Sequence, residues 1–317
     1  MDMKSAIIPA IIAFVAQILL CPVCIPLLHR LKFGQYIRAE GPKEHQKKAG
    51  TPTMGGIMIL VSLTLGVVLF FHFNSQIIAA LLVTWGFGLI GFLDDYIKVV
   101  KKNNEGLKPL QKWVLQCLVA CLFVLYLGMT GVGTAVSIPF TKIELDLGVF
   151  YYPFAFILMM AFVNGVNFTD GLDGLASGVT VIVTAFFAVV CWGQDSDLMP
   201  VASAVAGSLL GFLLFNVNPA KVFMGDTGSL ALGGFVSALA LMLNIPLLLV
   251  IVGFIYVAEV LSVVLQVTYF KATHGKRLFR MAPIHHHFEL GGWKETKVVS
   301  VFVIITAILC LIGLLAL

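Results

Sequence analysis

Long apolar runs separated by short polar segments repeat along the whole chain of 317 residues. The runs are mostly about 17 to 25 residues long, which is the length that an α-helix needs to cross the hydrocarbon core of a bilayer. The pattern predicts about ten spans, at 5–28, 54–73, 77–94, 113–131, 150–166, 175–193, 199–215, 229–244, 246–270 and 298–317. The predicted fold class is therefore an all-α polytopic membrane protein, with residues 1–317 as a single integral-membrane domain.

The composition supports this class and excludes others. Hydrophobic residues make up 60% of the chain and charged residues only 11%, which is far less charge than a soluble domain of this length carries. The six cysteines all fall inside apolar runs, so they are interpreted as small buried hydrophobic residues. The first run lacks a clear cleavage site and its positive charges follow it, so it is predicted to be a retained helix. Nothing in the sequence indicates nucleic-acid binding.

The positive charges lie almost entirely on one side of the predicted membrane. Of the 20 lysines and arginines, 18 lie in alternate connections, which are 29–53, 95–112, 167–174, 216–228 and 271–297. Because cytoplasmic loops are enriched in Lys and Arg, these five inner loops are predicted to be cytoplasmic and both termini external. The outer segment 132–149 alternates apolar and polar residues, which predicts a small β-hairpin.

Acidic residues follow the same sidedness. Five aspartates lie where an apolar run meets an inner loop, namely Asp94, Asp95, Asp170, Asp173 and Asp226. An ion-coupled transporter would carry paired acids at mid-bilayer and show inverted repeats with broken helices. A ring of acids at one membrane face instead suits a site where a water-soluble ligand meets a lipid headgroup.

The adjacent carboxylates Asp94 and Asp95 close the third apolar run. Two carboxylates about 6 Å apart repel by about 3 kcal/mol at an effective dielectric near 20. One interpretation is a solvated helix end with Lys98, one turn further on, as the partner. The other is a divalent-cation or phosphate site, in which Lys98 and Lys112 would bind phosphate as point charges.

The third inner loop is dense in oxygen ligands. It holds Asn167, Asp170 and Asp173 within seven residues, with a glycine after each aspartate. Glycines allow tight turns and let backbone N–H groups approach an anion. A polar turn between two helices is the alternative interpretation.

The fourth inner loop places Asp226 just ahead of an apolar run, between Gly225 and Gly228. An acid at that position could cap the helix, or it could complete a magnesium site with Asp94 and Asp95. In the same loop, Phe223 is either lipid-facing or a stacking platform for a base.

The fifth inner loop carries three consecutive histidines, His285, His286 and His287. Neighbouring side chains diverge and no cysteine accompanies them, so a shared zinc site is disfavoured. Contact with phosphate or sugar is the preferred interpretation. Glu259 lies inside the ninth run, where an intramembrane acid is a functional candidate, although a hydrogen bond to a neighbouring helix explains it equally well.

Five segments resemble the prokaryotic phospho-N-acetylmuramoyl-pentapeptide-transferase family (translocase I), a branch of the polyprenyl-phosphate sugar-1-phosphate transferases. They read Lys48-Ala49-Gly50-Thr51-Pro52-Thr53-Met54-Gly55-Gly56, Asp94-Asp95-Tyr96-Ile97-Lys98, Asn167-Phe168-Thr169-Asp170-Gly171-Leu172-Asp173-Gly174, Gly225-Asp226-Thr227-Gly228-Ser229 and Ala282-Pro283-Ile284-His285-His286-His287-Phe288-Glu289. The histidine segment is the most specific, and the resemblance spans essentially the whole chain.

The resemblance implies the reaction and its cofactor. Phospho-MurNAc-pentapeptide would pass from UDP-MurNAc-pentapeptide to undecaprenyl phosphate, giving lipid I and UMP, with Mg²⁺ required. By position, Asp226 resembles the magnesium ligand, and Asp94 and Asp95 resemble an essential pair, one of which deprotonates or positions the lipid phosphate. The route is either a direct transfer or two steps through a covalent phospho-sugar on an aspartate.

The resemblance also implies binding positions and partners. Uridine and nucleoside antibiotics would occupy positions matching Lys48, Leu172, Asp173, Asn216 and Phe223, with the ring of Phe223 on uracil. Other matching active-site positions are Lys98, Lys112, Asn167, Asp170 and His285. The protein would lie in the bacterial inner membrane with its site on the cytoplasmic face, and a homodimer is compatible with this placement. The nearest alternative is a transferase of GlcNAc-1-phosphate from UDP-GlcNAc, against which the histidine loop argues.

Overall fold

The structure, a computed structural model, describes residues 3–30, 48, 50–69, 74–101, 105–131 and 133–317. Much of the first inner loop (31–47 and 49) and the end of the second predicted span (70–73) lie outside the described residues. The described elements are α1 (Lys4–Arg30), α2 (Gly56–Val68), α3 (Ser75–Lys101), α4 (Pro109–Thr130), β1 (Ala135–Ser137), β2 (Glu144–Asp146), α5 (Tyr151–Thr169), α6 (Leu175–Gly193), α7 (Met199–Asn216), α8 (Gly225–Met242), α9 (Pro246–Val252), α10 (Phe254–Ala272), α11 (Ile284–Glu289) and α12 (Glu295–Leu314).

The predicted fold class is confirmed. Within the described ranges, nine helices are long and apolar enough to cross a membrane, and α2 is a shorter apolar helix of 13 residues. Helices dominate because a chain in hydrocarbon must satisfy its backbone hydrogen bonds within each segment. The outer segment forms the predicted hairpin, with Ala135 opposite Asp146 in an antiparallel pair of short strands. The external location of the termini stays a prediction.

Several helix boundaries differ from the sequence pattern, most notably those of α3 and of the predicted span 246–270. Helix α3 continues to Lys101, so Asp94 and Asp95 lie about two turns inside it instead of at its end. No proline or glycine interrupts that segment, and Lys98 and Lys101 favour the helix C-terminus through its dipole. The predicted span 246–270 is broken at Gly253, where a Cβ would lie 2.8 Å from Cε1 of Phe162 on α5.

Helix α8 lies at the centre of the bundle. All of its residues from Thr227 to Met242 are buried, and it packs against α2, α3 and α5. A helix that is apolar on all sides is typically surrounded by protein. Its first turn meets two glycines, since a Cβ on Gly91 of α3 would lie 2.0 Å from the carbonyl oxygen of Asp226, and one on Gly56 of α2 2.1 Å from the nitrogen of Gly228. This close packing brings the backbones of α2 and α3 to the start of α8.

Candidate active site at the start of α8

Asp226, in the first turn of α8, is the centre of a charged cluster. Its Oδ2 lies 2.8 Å from Nζ of Lys98 on α3 and 2.8 Å from Nζ of Lys112 on α4. Its Oδ1 accepts a hydrogen bond of 2.8 Å from Nδ2 of Asn167 at the end of α5. Four residues that are far apart in sequence therefore meet through one carboxylate, all of them predicted site residues.

Asp94 shares the two lysines with Asp226. Its Oδ2 lies 2.6 Å from Nζ of Lys98, one turn along the same helix, and 3.8 Å from Nζ of Lys112. Its Oδ1 accepts a 2.8 Å hydrogen bond from the backbone N–H of Leu107. The interpretation as a solvated helix end is wrong, because Asp94 and Asp95 are buried and lie inside α3, although Lys98 is the local partner as expected. The cation or phosphate site stays a prediction.

Asp95 has a different role from its neighbour. Its Oδ2 accepts hydrogen bonds from the backbone N–H and the hydroxyl of Thr227, and its Oδ1 accepts one of 3.2 Å from the N–H of Asp226. These N–H groups belong to the first turn of α8, where a helix has no internal acceptors for them. Asp226 itself does not cap the helix, because α8 begins at Gly225 and its cap carries no side-chain hydrogen bond.

The three carboxylates suit a hard divalent cation. Asp94, Asp95 and Asp226 each offer an oxygen, and these oxygens all lie within 4.8 Å of one another. Mg²⁺ prefers one or two carboxylates together with phosphates and water. Two of the three hydrogen bonds that Asp95 accepts come from backbone N–H groups of α8, whereas Asp226 accepts its three from the side chains of Lys98, Lys112 and Asn167. Side-chain donors can turn away from a carboxylate more readily than backbone donors, so Asp226 is better placed than Asp95 to bind a cation.

Asp170 lies beside this cluster, in the loop after α5. Burial raises the pKa of its carboxyl well above the usual value, and the negative charges of Asp226 and Asp95 raise it further. A hydrogen bond from the backbone of Gly225 partly opposes this increase in the pKa. Asp170 is therefore coupled electrostatically to the carboxylates at the start of α8.

A second cluster surrounds Asp173. Its carboxylate lies 2.7 Å from Nζ of Lys48 and accepts hydrogen bonds from Nδ2 of Asn218 and the N–H of Ala220. Glu295 completes the cluster, because its Oε1 lies 2.5 Å from Nζ of Lys48 and accepts the N–H of Asp173 at 2.7 Å. Lys48 and Asp173 were predicted, whereas Glu295 was missed. The available signal was an acid at the first position of α12, directly after a basic loop.

Three predicted pocket residues have structural partners of their own. Asn216 is buried, accepts a hydrogen bond from the hydroxyl of Ser177 and donates to the carbonyl of Val222 at 3.0 Å. Leu172 is buried within the hydrophobic core. Phe223 is half-buried, and its backbone pairs with Pro52 and Gly55 through hydrogen bonds of 2.8 and 2.9 Å. These residues shape the same end of the bundle.

The histidine loop is held by protein contacts. His285 is buried, and its Nδ1 lies 3.0 Å from Oε1 of Glu259 on α10. Nδ1 of His286 lies 2.8 Å from Glu289, and Nδ1 of His287 accepts the backbone N–H of Arg280 at 3.1 Å. Glu259 therefore has a polar partner on a neighbouring helix, as one of its two interpretations predicted.

Comparison with models of known protein families defines the class of protein to which the chain belongs. A model of glycosyl transferase family 4 matches residues 77–244, which include α3 to α8 and the charged cluster. The signature 1 of phospho-N-acetylmuramoyl-pentapeptide-transferases matches residues 48–60. Fold, site and matches together define a polytopic membrane transferase of glycosyl transferase family 4.

Similar proteins narrow the class to a family. The chain is 51% identical to a phospho-N-acetylmuramoyl-pentapeptide-transferase of Clostridium novyi (strain NT), over 99% of this chain and 98% of the relative. Proteins of the same name from Acetivibrio thermocellus and Staphylococcus carnosus (strain TM300) are 52% and 50% identical over 97% and 96% of this chain, which corresponds to 94% and 97% of each relative. The chain belongs to the phospho-N-acetylmuramoyl-pentapeptide-transferase family, so the resemblance found in the sequence is confirmed.

Proposed function

We propose that the chain transfers phospho-MurNAc-pentapeptide from UDP-MurNAc-pentapeptide to undecaprenyl phosphate, yielding lipid I and UMP. Family membership supports the reaction. The structural observation that carries it is the cluster of Asp94, Asp226, Lys98 and Lys112 at one end of the bundle. A cluster with both signs of charge, at the end of apolar helices, is where a nucleotide sugar from water and a phosphate on a lipid can meet.

The two lysines would bind the diphosphate of the donor. Nζ of Lys98 and Nζ of Lys112 both approach Oδ2 of Asp226 at 2.8 Å, so they converge on one point from two helices. Lysine binds phosphate as a point charge and needs no planar geometry. Asn167 keeps the Asp226 carboxylate oriented by bonding to Oδ1 and to the hydroxyl of Ser229.

Asp226 and Asp94 would hold Mg²⁺, with Asp95 behind them. The grouping of three carboxylate oxygens within 4.8 Å supports this assignment. When bound, Mg²⁺ supplies charge neutralisation of the diphosphate and stabilisation of the UMP leaving group. Lys98 and Lys112 would then turn from the carboxylates towards the phosphates, because the carboxylates have another cation.

Asp94 would position the acceptor phosphate. A phosphate monoester has a second pKa of about 6 and is largely ionised at pH 7, so the reaction does not require a strong base. The backbone N–H of Leu107 holds Oδ1 of Asp94, and this contact does not depend on Lys98. In a two-step route through an aspartyl intermediate, Asp95 is the least suited nucleophile, because backbone N–H groups of the first turn of α8 bond to both of its oxygens.

The uridine end of the donor would lie at the second cluster. Lys48 and Asp173 offer charged hydrogen-bonding groups there, and Phe223 offers a ring whose backbone is anchored on both sides. Nucleoside antibiotics would compete for the same groups. Asp170, His286 and His287 would contact the phosphate or sugar of the donor, while Leu172 and Asn216 would shape the pocket from behind.

The cluster would face the cytoplasm of a bacterial cell, in the inner membrane. The strong bias of lysine and arginine towards the five inner loops supports this orientation. The donor is charged and soluble, so it would arrive from that side, while undecaprenyl phosphate would arrive from the bilayer. Assembly into a homodimer stays a prediction.

The test is UMP release by purified protein in detergent with undecaprenyl phosphate and Mg²⁺. UDP-MurNAc-pentapeptide is supplied in one reaction and UDP-GlcNAc in the other. We expect release from the first donor alone. Release from UDP-GlcNAc alone would assign the alternative GlcNAc-1-phosphate transfer, and release from neither by folded protein would contradict a transferase and return the ion-coupled transporter to consideration.

A further inference from the structure

Glu259 and His285 form a buried pair that connects α10 to the histidine loop. Oε1 of Glu259 lies 3.0 Å from Nδ1 of His285, and the two residues are 0% and 1% exposed. Helix α10 is long and apolar enough to cross a membrane. An ionisable side chain inside such a helix is costly and commonly marks a function. The packing of α10 alone therefore does not explain why a carboxylate is buried at position 259.

The opposite edge of the His285 ring lies against the aspartate loop. A Cβ at Gly171 would lie 2.3 Å from Nε2 and 2.5 Å from Cε1 of the ring, so any other residue there would displace the ring. Gly171 directly follows Asp170 and lies two residues before Asp173. Among the described residues, Nε2 of His285 has no hydrogen-bond partner. The ring is thus fixed by one polar contact on Nδ1 and by a steric contact on its Nε2 edge.

A second residue of α10, Gln266, also holds the histidine loop. Oε1 of Gln266, about two turns beyond Glu259, accepts the backbone N–H groups of Leu278 and Phe279 at 3.1 and 2.8 Å. Gln266 therefore fixes the start of the loop, whereas Glu259 fixes the side chain that reaches the aspartate loop. Variants of Glu259 therefore change the contact to the His285 side chain while the contact of Gln266 with the loop backbone is kept.

We propose that Glu259 is a positioning residue for the transfer reaction. Through Nδ1 of His285, it holds the histidine loop against Gly171 and so sets the distance between the histidine side chains and Asp170. This inference rests on the proposed function, in which both loops contact the donor. Among the described residues, Glu259 makes no hydrogen bond or ion pair with the Asp226 or Asp173 cluster, and its side-chain partner is His285. Its effect on the reaction therefore passes through His285.

Four variants test the pair in the full-length protein in detergent. They are Glu259→Leu, Glu259→Gln, His285→Asn and the double variant Glu259→Leu/His285→Asn. We expect Glu259→Leu to lower kcat by about 10- to 100-fold and to change KM for the UDP-linked donor by less than about threefold, by analogy with carboxylates that orient histidine ligands. Glu259→Gln should restore most of kcat, because its amide oxygen can still accept the Nδ1 proton.

The double variant separates positioning from a general structural role. If Glu259 acts through His285, the double variant has the same kcat as His285→Asn alone, because interacting residues are not additive. Ser262→Ala is the matched control on the same helix, since the Ser262 hydroxyl donates to the backbone oxygen of Glu259 and not to its carboxylate. That control should retain wild-type kcat.

Folding is monitored independently of turnover. The melting temperature and the number of UMP molecules bound per protein should stay at wild-type values in Glu259→Leu. Any of three results would overturn the inference. They are a wild-type kcat in Glu259→Leu, a double variant whose loss of kcat is the product of the two single losses, and a loss of kcat that equals the loss of UMP-binding sites. Wild-type protein without turnover would instead contradict the proposed function, so the two failures are distinguishable.

Discussion

Asp95 caps the helix that carries Asp226, through a double hydrogen bond to Thr227. Its Oδ2 accepts the backbone N–H of Thr227 at 2.9 Å and the Thr227 hydroxyl at 2.7 Å. The cap comes from a different helix, and Gly91, one turn earlier on α3, allows the two backbones to approach. The adjacent carboxylates of Asp94 and Asp95 therefore have separate tasks, since one faces the lysines and the other fixes the first turn of α8.

Asp95→Asn should destabilise the protein, whereas Asp94→Asn should chiefly lower turnover. An amide at position 95 replaces one acceptor oxygen with a donor that faces N–H groups, and leaving a buried donor unsatisfied costs about 1–3 kcal/mol. The backbone N–H that Asp94 accepts belongs to Leu107, and among the described residues Asp94 accepts none from the first turn of α8. Melting temperatures in detergent and UMP release are measured for both variants. Equal melting temperatures would contradict the capping role.

Asp226→Asn should abolish turnover and its dependence on Mg²⁺ while the fold is retained. The amide keeps the shape of the side chain but removes the charge that attracts Lys98 and Lys112. UMP release is measured across a Mg²⁺ titration, with Ser237→Ala on the same helix as the control. The Ser237 hydroxyl bonds to its own helix backbone and should be dispensable. Near-normal, Mg²⁺-dependent activity of Asp226→Asn would remove this residue from the metal site.

Phe223→Ala should weaken the binding of UMP by about 1–3 kcal/mol, the range for stacking of a base on an aromatic ring. The backbone of residue 223 bonds to Pro52 and Gly55, so truncation of the ring should leave the loop in place. Phe223→Tyr keeps the ring and serves as the matched control. Calorimetry measures the affinity of each variant, and an unchanged affinity in Phe223→Ala would count against stacking.

The pH dependence of stability should change in Asp170→Asn. Because burial raises the pKa of Asp170 in the folded protein, the folded state binds this proton more tightly than the unfolded chain, where the pKa is about 3.9. Its contribution to stability is complete below about pH 3.9 and is lost as the pH rises through the raised pKa.

Melting temperatures of wild type and Asp170→Asn are compared from acid to neutral pH in metal-free buffer. The wild type should lose stability relative to the variant as the pH rises through this window, and the difference should then level off. A difference between the two proteins that does not vary with pH would mean that Asp170 does not carry the shifted proton.

Much of the candidate site was recognisable because its chemistry is local in the sequence. Aspartates at the ends of apolar runs, lysines nearby and glycines beside Asp170 and Asp226 indicated a charged face before any contact was known. Glu295 was missed because its partners, Lys48 and Asp173, are more than 100 residues away. An acid at the first position of a helix is common, so that signal alone does not mark Glu295 as part of a site.

The sequence by itself determined the membrane class and the approximate positions of most helices, because hydrocarbon thickness sets the length of the apolar runs. Only the tertiary structure decided which groups each carboxylate contacts. Asp94 and Asp95 are neighbours in sequence, yet successive helical side chains point about 100° apart. One therefore meets Lys98 and Lys112, and the other meets the backbone of a helix that begins 130 residues later.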